Sequence, residues 1–287
     1  MKAYKRKYYC VFFALLSCAL FFILQACVYN LLKEKEARFV SPIGEENTLI
    51  RLQDAHNMNS NILFMGSSIT ERLLPQKNIS SIAMSHSSFT CTLKFLKNRK
   101  QFAPGTVYIL EINNMFQTDY KELLARTEEW DFNYFRDSAH FSFAAKPMNL
   151  IASSIFYFLE HKQSSTEDTF DVPPALPIPN NDVADITDKQ LKEWDYLIQG
   201  IKEIRDKGGR ICFVLHPYTG DRKYFMISYE KSRILAKHLN IPVLNYNAPE
   251  WINRLTFTDP IHLHSRKEST IMYMNTVARD AALVATK

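Results

Sequence analysis

Two short stretches at opposite ends of the chain carry residue types that could do covalent chemistry. The first is Ile62-Leu63-Phe64-Met65-Gly66-Ser67-Ser68-Ile69-Thr70-Glu71-Arg72-Leu73. An apolar run closed by glycine predicts a buried parallel strand, a sharp turn and the opening of a helix. A serine there sits at the carboxyl end of a strand and at a helix N-terminus. Open α/β sheets bind ligands at that end, and the free N–H groups favour negative charge. It is also the place of an ordinary helix cap. The second stretch is Thr256-Phe257-Thr258-Asp259-Pro260-Ile261-His262-Leu263-His264-Ser265. Asp259 and His262, three apart in a loop ahead of a C-terminal helix, can share one turn. The carboxylate can then hold the imidazole's far N–H and stabilise the imidazolium. An aspartate before proline is equally a common turn starter, and His264 lies two residues on.

Together the two blocks resemble those of the SGNH (GDSL-like) hydrolase superfamily, whose first block is Gly-Asp-Ser near the N-terminus and whose last is Asp-x-x-His near the C-terminus. The resemblance makes Ser68 the nucleophile and Ser67 the stand-in for the family's aspartate. It makes His262 the general base and then general acid, chosen over His264 by spacing, and Asp259 its orienter. The family's oxyanion donors are the nucleophile's own N–H, the N–H of a glycine after the second strand, and an asparagine side chain after the third. The third predicted strand here ends Glu111-Ile112-Asn113-Asn114-Met115, where the family has Gly-x-Asn-Asp. Two registers fit: Asn113 as donor with Glu111 in the glycine's place, or Asn114 with Ile112 there. The second-block glycine falls near His86. A backbone N–H exists there whatever the side chain, but histidine suits a positive φ less well than glycine; its ring could donate instead.

Bulk properties bound the rest. The chain has 287 residues, 46% apolar and 23% charged, the range of a globular protein with a core of useful size. The net charge of +5 owes much to Lys2, Lys5, Arg6 and Lys7, so no nucleic-acid footprint is expected. Only seven glycines are present, and no Gly-rich nucleotide loop occurs. Cys10, Cys18, Cys27, Cys91 and Cys212 show neither metal-ligand spacing nor a disulfide framework, so no metal or cofactor is expected.

The elements that must position these residues follow in order. Residues 1–32 form a basic tip and an uncharged apolar run, Tyr8 to Leu32, long enough to cross a bilayer. Basic residues before it predict a cytoplasmic N-terminus and an exported remainder. A cleaved signal peptide, or a lipoprotein box at Leu24-Gln25-Ala26-Cys27, would export the chain equally. Residues 33–60 read as a stalk with a short helix. From 61 to 287, strands are predicted at Ile62–Met65, Ile79–Met84, Val107–Ile112, Arg210–Leu215 and Pro242–Asn245. Helices are predicted at Leu93–Lys100, Pro147–Leu159, Asp188–Lys207 (capped by Thr187), Tyr224–Leu239 and Arg266–Val284. Residues 115–185 form an aromatic-rich helical insertion and a proline-rich loop. This alternation predicts an α/β domain with about five parallel strands covered on both faces by helices. The resemblance makes it the three-layer, flavodoxin-like SGNH sandwich. His216, just after the fourth strand, lies at the ligand end as a substrate contact or a structural loop histidine.

What the resemblance implies is a membrane-anchored serine esterase or O-acyltransferase acting through an acyl-enzyme on acyl, notably acetyl, esters of extracytoplasmic glycans. Some anchored members, such as the alginate acetylation proteins and the D-alanyl-lipoteichoic acid transfer protein, work with a membrane-bound O-acyltransferase, and the expectation extends to this chain. The alternatives are a non-catalytic glycan-binding or assembly subunit of the same fold, motivated by His86, and a lipase or thioesterase.

Overall fold

In a computed structural model of the protein, the described residues are 2–35, 39, 41–42, 44–57, 60–73, 78–83, 89–99, 102–116, 142–161, 177–179, 182–220, 222–264 and 268–286. His86 and most of the predicted insertion lie outside them. The chain divides into two compact units, one of Met1–Gln53 with Glu128–Ser164, the other of Asp54–Thr127 with Ser165–Lys287.

The first unit contains α1 (Lys2–Glu34), the start of α2 (Gly44–Asn57), a 3₁₀ turn (Phe143–Ala145) and α5 (Pro147–His161). Within α1, the 24 residues Val11–Glu34 include an 18-residue window of mean hydropathy 2.5 and are long and apolar enough to cross a membrane. Glu46 of α2 accepts hydrogen bonds from Lys146 Nζ (2.6 Å), Asn149 Nδ2 (2.9 Å) and Ser41 Oγ (2.9 Å). Burial pushes its carboxyl pKa up, but these donors outweigh that and hold it below the usual range.

The second unit is α/β. Its strands are β1 (Ile62–Gly66), β2 (Ile79–Ala83), β3 (Val107–Glu111), β4 (Arg210–Leu215) and β5 (Val243–Asn245), all parallel, in the spatial order β2-β1-β3-β4-β5. The helices are α3 (Ser68–Glu71), α4 (Phe89–Arg99), α6 (Asp188–Glu193), α7 (Asp195–Asp206), α8 (Lys223–Leu239), α9 (Pro249–Ile252) and α10 (Glu268–Val284). The strands read as unbroken apolar runs because helices pack against them: α4 on β1 and β2, α7 on β4, α10 on β3 and β4. On one face Tyr273, Met274, Val277, Ala278 and Ala281 of α10 pack with Phe64, Ile109, Cys212, Val214 and Leu244. Full burial of each larger side chain is worth about 1.5–3 kcal/mol. The edge strand β5 is met by Pro177 in an isolated antiparallel bridge to Leu244, and proline blunts such an edge.

Strand and helix ends fall within a few residues of the predicted ones, with one correction. The single helix predicted over Asp188–Lys207 is two helices, α6 and α7, broken at Trp194, whose φ/ψ of −103°/9° leaves the helical region. That break buries the indole against Phe116, ring centroids 4.9 Å apart. Thr187 caps α6 through a reciprocal pair with Gln190, as its sequence suggests.

The order in which strands are added reverses at β1: β2 lies on one side of it and β3 on the other. A crevice at the carboxyl ends of β1 and β3 is where such sheets hold ligands. Ser67 and Ser68 follow β1 there, and Ile112, Asn113 and Asn114 follow β3.

Candidate active site

The turn after β1 gives its two serines different work. Ser67 is the N-cap of α3, its Oγ accepting from Ile69 N–H (3.2 Å), and it is buried. The cap role therefore belongs to Ser67. Ser68, the first residue of α3, is half-buried, and its Oγ lies 2.8 Å from His262 Nε2. As the first helical residue, its N–H has no intrahelical acceptor.

His262 arrives on a loop that is largely bonded to itself. Thr258 N donates to His262 O (2.8 Å) and His264 N to Thr256 O (2.7 Å), with Phe257 bridged to Leu263. Leu255 and Leu263 are buried and pin the loop's base. At its tip Asp259 Oδ1 accepts from Ile261 N (2.9 Å) and His262 N (3.0 Å), the turn geometry of an aspartate before proline. Thr219 N donates to Pro260 O (2.7 Å) and ties the tip to the segment after β4. Asp259 Oδ2 is then 2.7 Å from His262 Nδ1. A carboxylate only accepts, so the proton sits on Nδ1, and Nε2 offers its lone pair to the Ser68 hydroxyl. What desolvation Asp259 suffers raises its pKa, but the Ile261 N–H, the imidazole and the His262 N–H together hold it below the usual range. The carboxylate is charged when an imidazolium forms beside it. The structure thus brings Ser68, His262 and Asp259 into one hydrogen-bonded chain.

The paired asparagines separate as cleanly. Asn113 is fully buried and its amide is used twice on one residue: Nδ2 donates to His216 O (3.0 Å) and Oδ1 accepts from His216 N (2.8 Å). It extends the pairing of β3 and β4 by one rung. Asn114 points to the serine side, its Nδ2 donating to Ser67 Oγ at 3.1 Å. A positive φ at position 86, the feature that would favour glycine, falls outside the described residues. His216 is buried; its Nε2 is 3.4 Å from Thr70 Oγ1 and its Nδ1 2.7 Å from Tyr273 OH. Burial drives its pKa down to about 3, so it stays neutral, a structural histidine rather than a surface contact.

Sequence reasoning passed over Glu111 except as the occupant of a glycine position. Its carboxyl is buried beneath the serine turn. Oε2 accepts from Ser67 N (2.9 Å), Thr70 N (3.2 Å) and Thr70 Oγ1 (2.6 Å), and Oε1 from Ser67 Oγ (2.6 Å). Burial raises its pKa, and these four donors oppose the rise without cancelling it. Gly66 makes room for this carboxyl: a Cβ there would lie 2.7 Å from Glu111 Cβ and clash with Glu111 Oε2 and Thr70 Oγ1. A glutamate closing the otherwise apolar strand Val107–Glu111 was the available signal, because a buried carboxyl demands partners.

Among the described residues, no group of three or more His, Cys, Asp or Glu side chains could hold a metal ion. A serine hydroxyl, an imidazole and a carboxylate joined by bonds of 2.8 and 2.7 Å are an arrangement that can deprotonate a serine for attack on an ester or other acyl carbonyl. No protein-family model, curated protein or solved structure matches this chain.

Proposed function

We propose that the protein is a membrane-anchored serine esterase or O-acyltransferase of the SGNH type, acting on acyl esters of extracytoplasmic glycans. The observation that carries the reading is the Ser68–His262–Asp259 chain, drawn together from residues 194 positions apart. The strand order β2-β1-β3-β4-β5 supports it, because that is the order of flavodoxin-like doubly wound sheets, with ligands at the β1/β3 switch point.

In the proposed reaction Ser68 Oγ attacks the acyl carbonyl carbon while His262 Nε2 takes its proton. The tetrahedral intermediate collapses, the leaving alkoxide receives that proton, and an acyl-Ser68 remains. Water, or a sugar hydroxyl in the transfer reaction, then attacks with His262 again as base, releasing acid or the new ester and restoring the serine. The Ser68 N–H and the Asn114 amide are the oxyanion donors, Asn113 being occupied by His216. The glycan acyl group, a membrane-bound O-acyltransferase partner and a cytoplasmic N-terminus come to this reading from the family resemblance and the basic N-terminal tip.

A fluorophosphonate probe tests the reading directly. The full chain in detergent is expected to be labelled, and Ser68→Ala is not. Labelling of both, or of neither, removes Ser68 as an activated nucleophile. Asn114→Ala is expected to lower kcat for a short-chain nitrophenyl ester by roughly 10²–10³, the cost of one oxyanion donor. A change within threefold returns that amide to a purely structural role beside Ser67.

A further inference from the structure

In the first unit, α5 is inside out for a water-soluble helix. Among the described residues, the side chains it buries are Leu150 and the polar Asn149 and Ser153. Asn149 Nδ2 donates to Glu46 Oε2 (2.9 Å) and Phe143 O (2.8 Å), and Ser153 Oγ to Asn149 O (2.6 Å). The large side chains it leaves exposed are Met148, Ile151, Ile155, Phe158 and Leu159, each at least half accessible. At 3.6 residues per turn these five fall on one stripe roughly 100° wide. A soluble helix turns such a stripe toward the core, whereas hydrocarbon reverses the arrangement.

The same unit says what covers the stripe. Helix α5 packs against α1. Gln25, a polar side chain within the apolar stretch of α1, donates to Ala145 O at 2.7 Å, two residues before α5 begins. Gln25 lies about 13 Å along the helix axis before Glu34, at 1.5 Å per residue. The start of α5 is therefore level with apolar α1, not beyond its end. Leu15, Leu20, Phe21, Phe22, Leu24 and Leu31 of α1 are exposed, while Tyr29 and Leu32, on another side near its end, are buried. Where the anchor's own apolar surface becomes covered, the outer stripe of α5 takes its place. Fifteen residues make about 22 Å of helix, too short for a hydrocarbon core of about 30 Å, so the helix lies in the interface rather than spanning it.

We infer that α5 is an interfacial membrane helix, seated by Met148, Ile151, Ile155, Phe158 and Leu159 in the acyl boundary of the bilayer that α1 crosses. This rests on the anchor reading of α1, and the experiment separates the two. In the full chain with Cys10, Cys18 and Cys27 replaced by alanine (Cys91 and Cys212 are buried), single cysteines are introduced as Ile155→Cys, Leu20→Cys and Lys189→Cys. Each is labelled with an environment-sensitive NBD fluorophore and reconstituted in phosphatidylcholine vesicles, with or without lipids carrying a nitroxide on the acyl chain. Positions 20 and 155 are expected to show blue-shifted emission that the nitroxide lipids quench, and position 189 water-like, unquenched emission. Quenching at 20 with a water-like signal at 155 overturns the inference and leaves the anchor. A blue shift at 155 without lipid quenching also overturns it, assigning the stripe to a protein partner. No quenching at either position removes both readings.

Discussion

Alanine at position 262 is expected to cut ester turnover by roughly 10⁴- to 10⁶-fold, the scale seen when the base of a serine–histidine pair is removed. Among the described residues, Ser68 Oγ has one base within reach, His262 Nε2 at 2.8 Å. Without it the hydroxyl must lose its proton to water, at a pKa far above neutrality. The loop itself is held by backbone bonds and by Asp259 Oδ1, which caps two backbone N–H groups without the imidazole. The variant is therefore expected to fold, and circular dichroism with a thermal scan checks that it does. In the proposed mechanism serine and histidine act as one unit, so the double variant Ser68→Ala/His262→Ala should be little worse than either single change. Turnover within tenfold of the parent in His262→Ala would remove the histidine from the mechanism.

Glu111→Ala is expected to produce the largest loss of stability, about 3–5 kcal/mol, read as a fall in the denaturant midpoint of the second unit's transition. The substitution strands the Ser67 and Thr70 amides in the interior, each at a cost of about 1–3 kcal/mol, and takes the carboxyl acceptor from both hydroxyls, offset where water enters the space left behind. The nucleophile's turn loosens with it, so the rate of fluorophosphonate labelling should fall as well. Glu111→Gln keeps an acceptor for the two amides and should lose much less. It also isolates a pH effect. Burial raises the folded-state pKa of Glu111 above its ordinary 4.5, so the native state holds this proton more tightly than the unfolded chain. Stability from this group is full below that ordinary value and is lost as pH rises from there through the folded pKa. Glu111→Gln should flatten the stability profile over that window. A loss under about 1 kcal/mol in Glu111→Ala would mean the carboxyl does not hold the turn.

How far these features could be read in advance depended on how local they were. The Asp259–His262 pair was legible because three residues of spacing and a proline fix the geometry within one loop. The strand-turn-helix at Gly66 was legible because an apolar run, a glycine and paired serines are neighbours in sequence. The choice between Asn113 and Asn114 was not, since adjacent residues after a strand face opposite ways and one step of register exchanges them. It turned on His216, 103 positions away. Glu111 was invisible for the same reason, its four donors coming from a turn more than forty residues earlier. The break at Trp194 reflects a tertiary demand, burial against Phe116, that overrides an otherwise continuous helical pattern.

The loop from Thr256 to His264 has one more implication. Its acid–base pair is aligned by bonds internal to nine residues, with Thr219 as an outside strut on Pro260. The machinery is thus a portable cassette. Grafted between two correctly spaced stems on another scaffold, it would carry its own orientation along, leaving the recipient to supply a hydroxyl and the donors for the oxyanion.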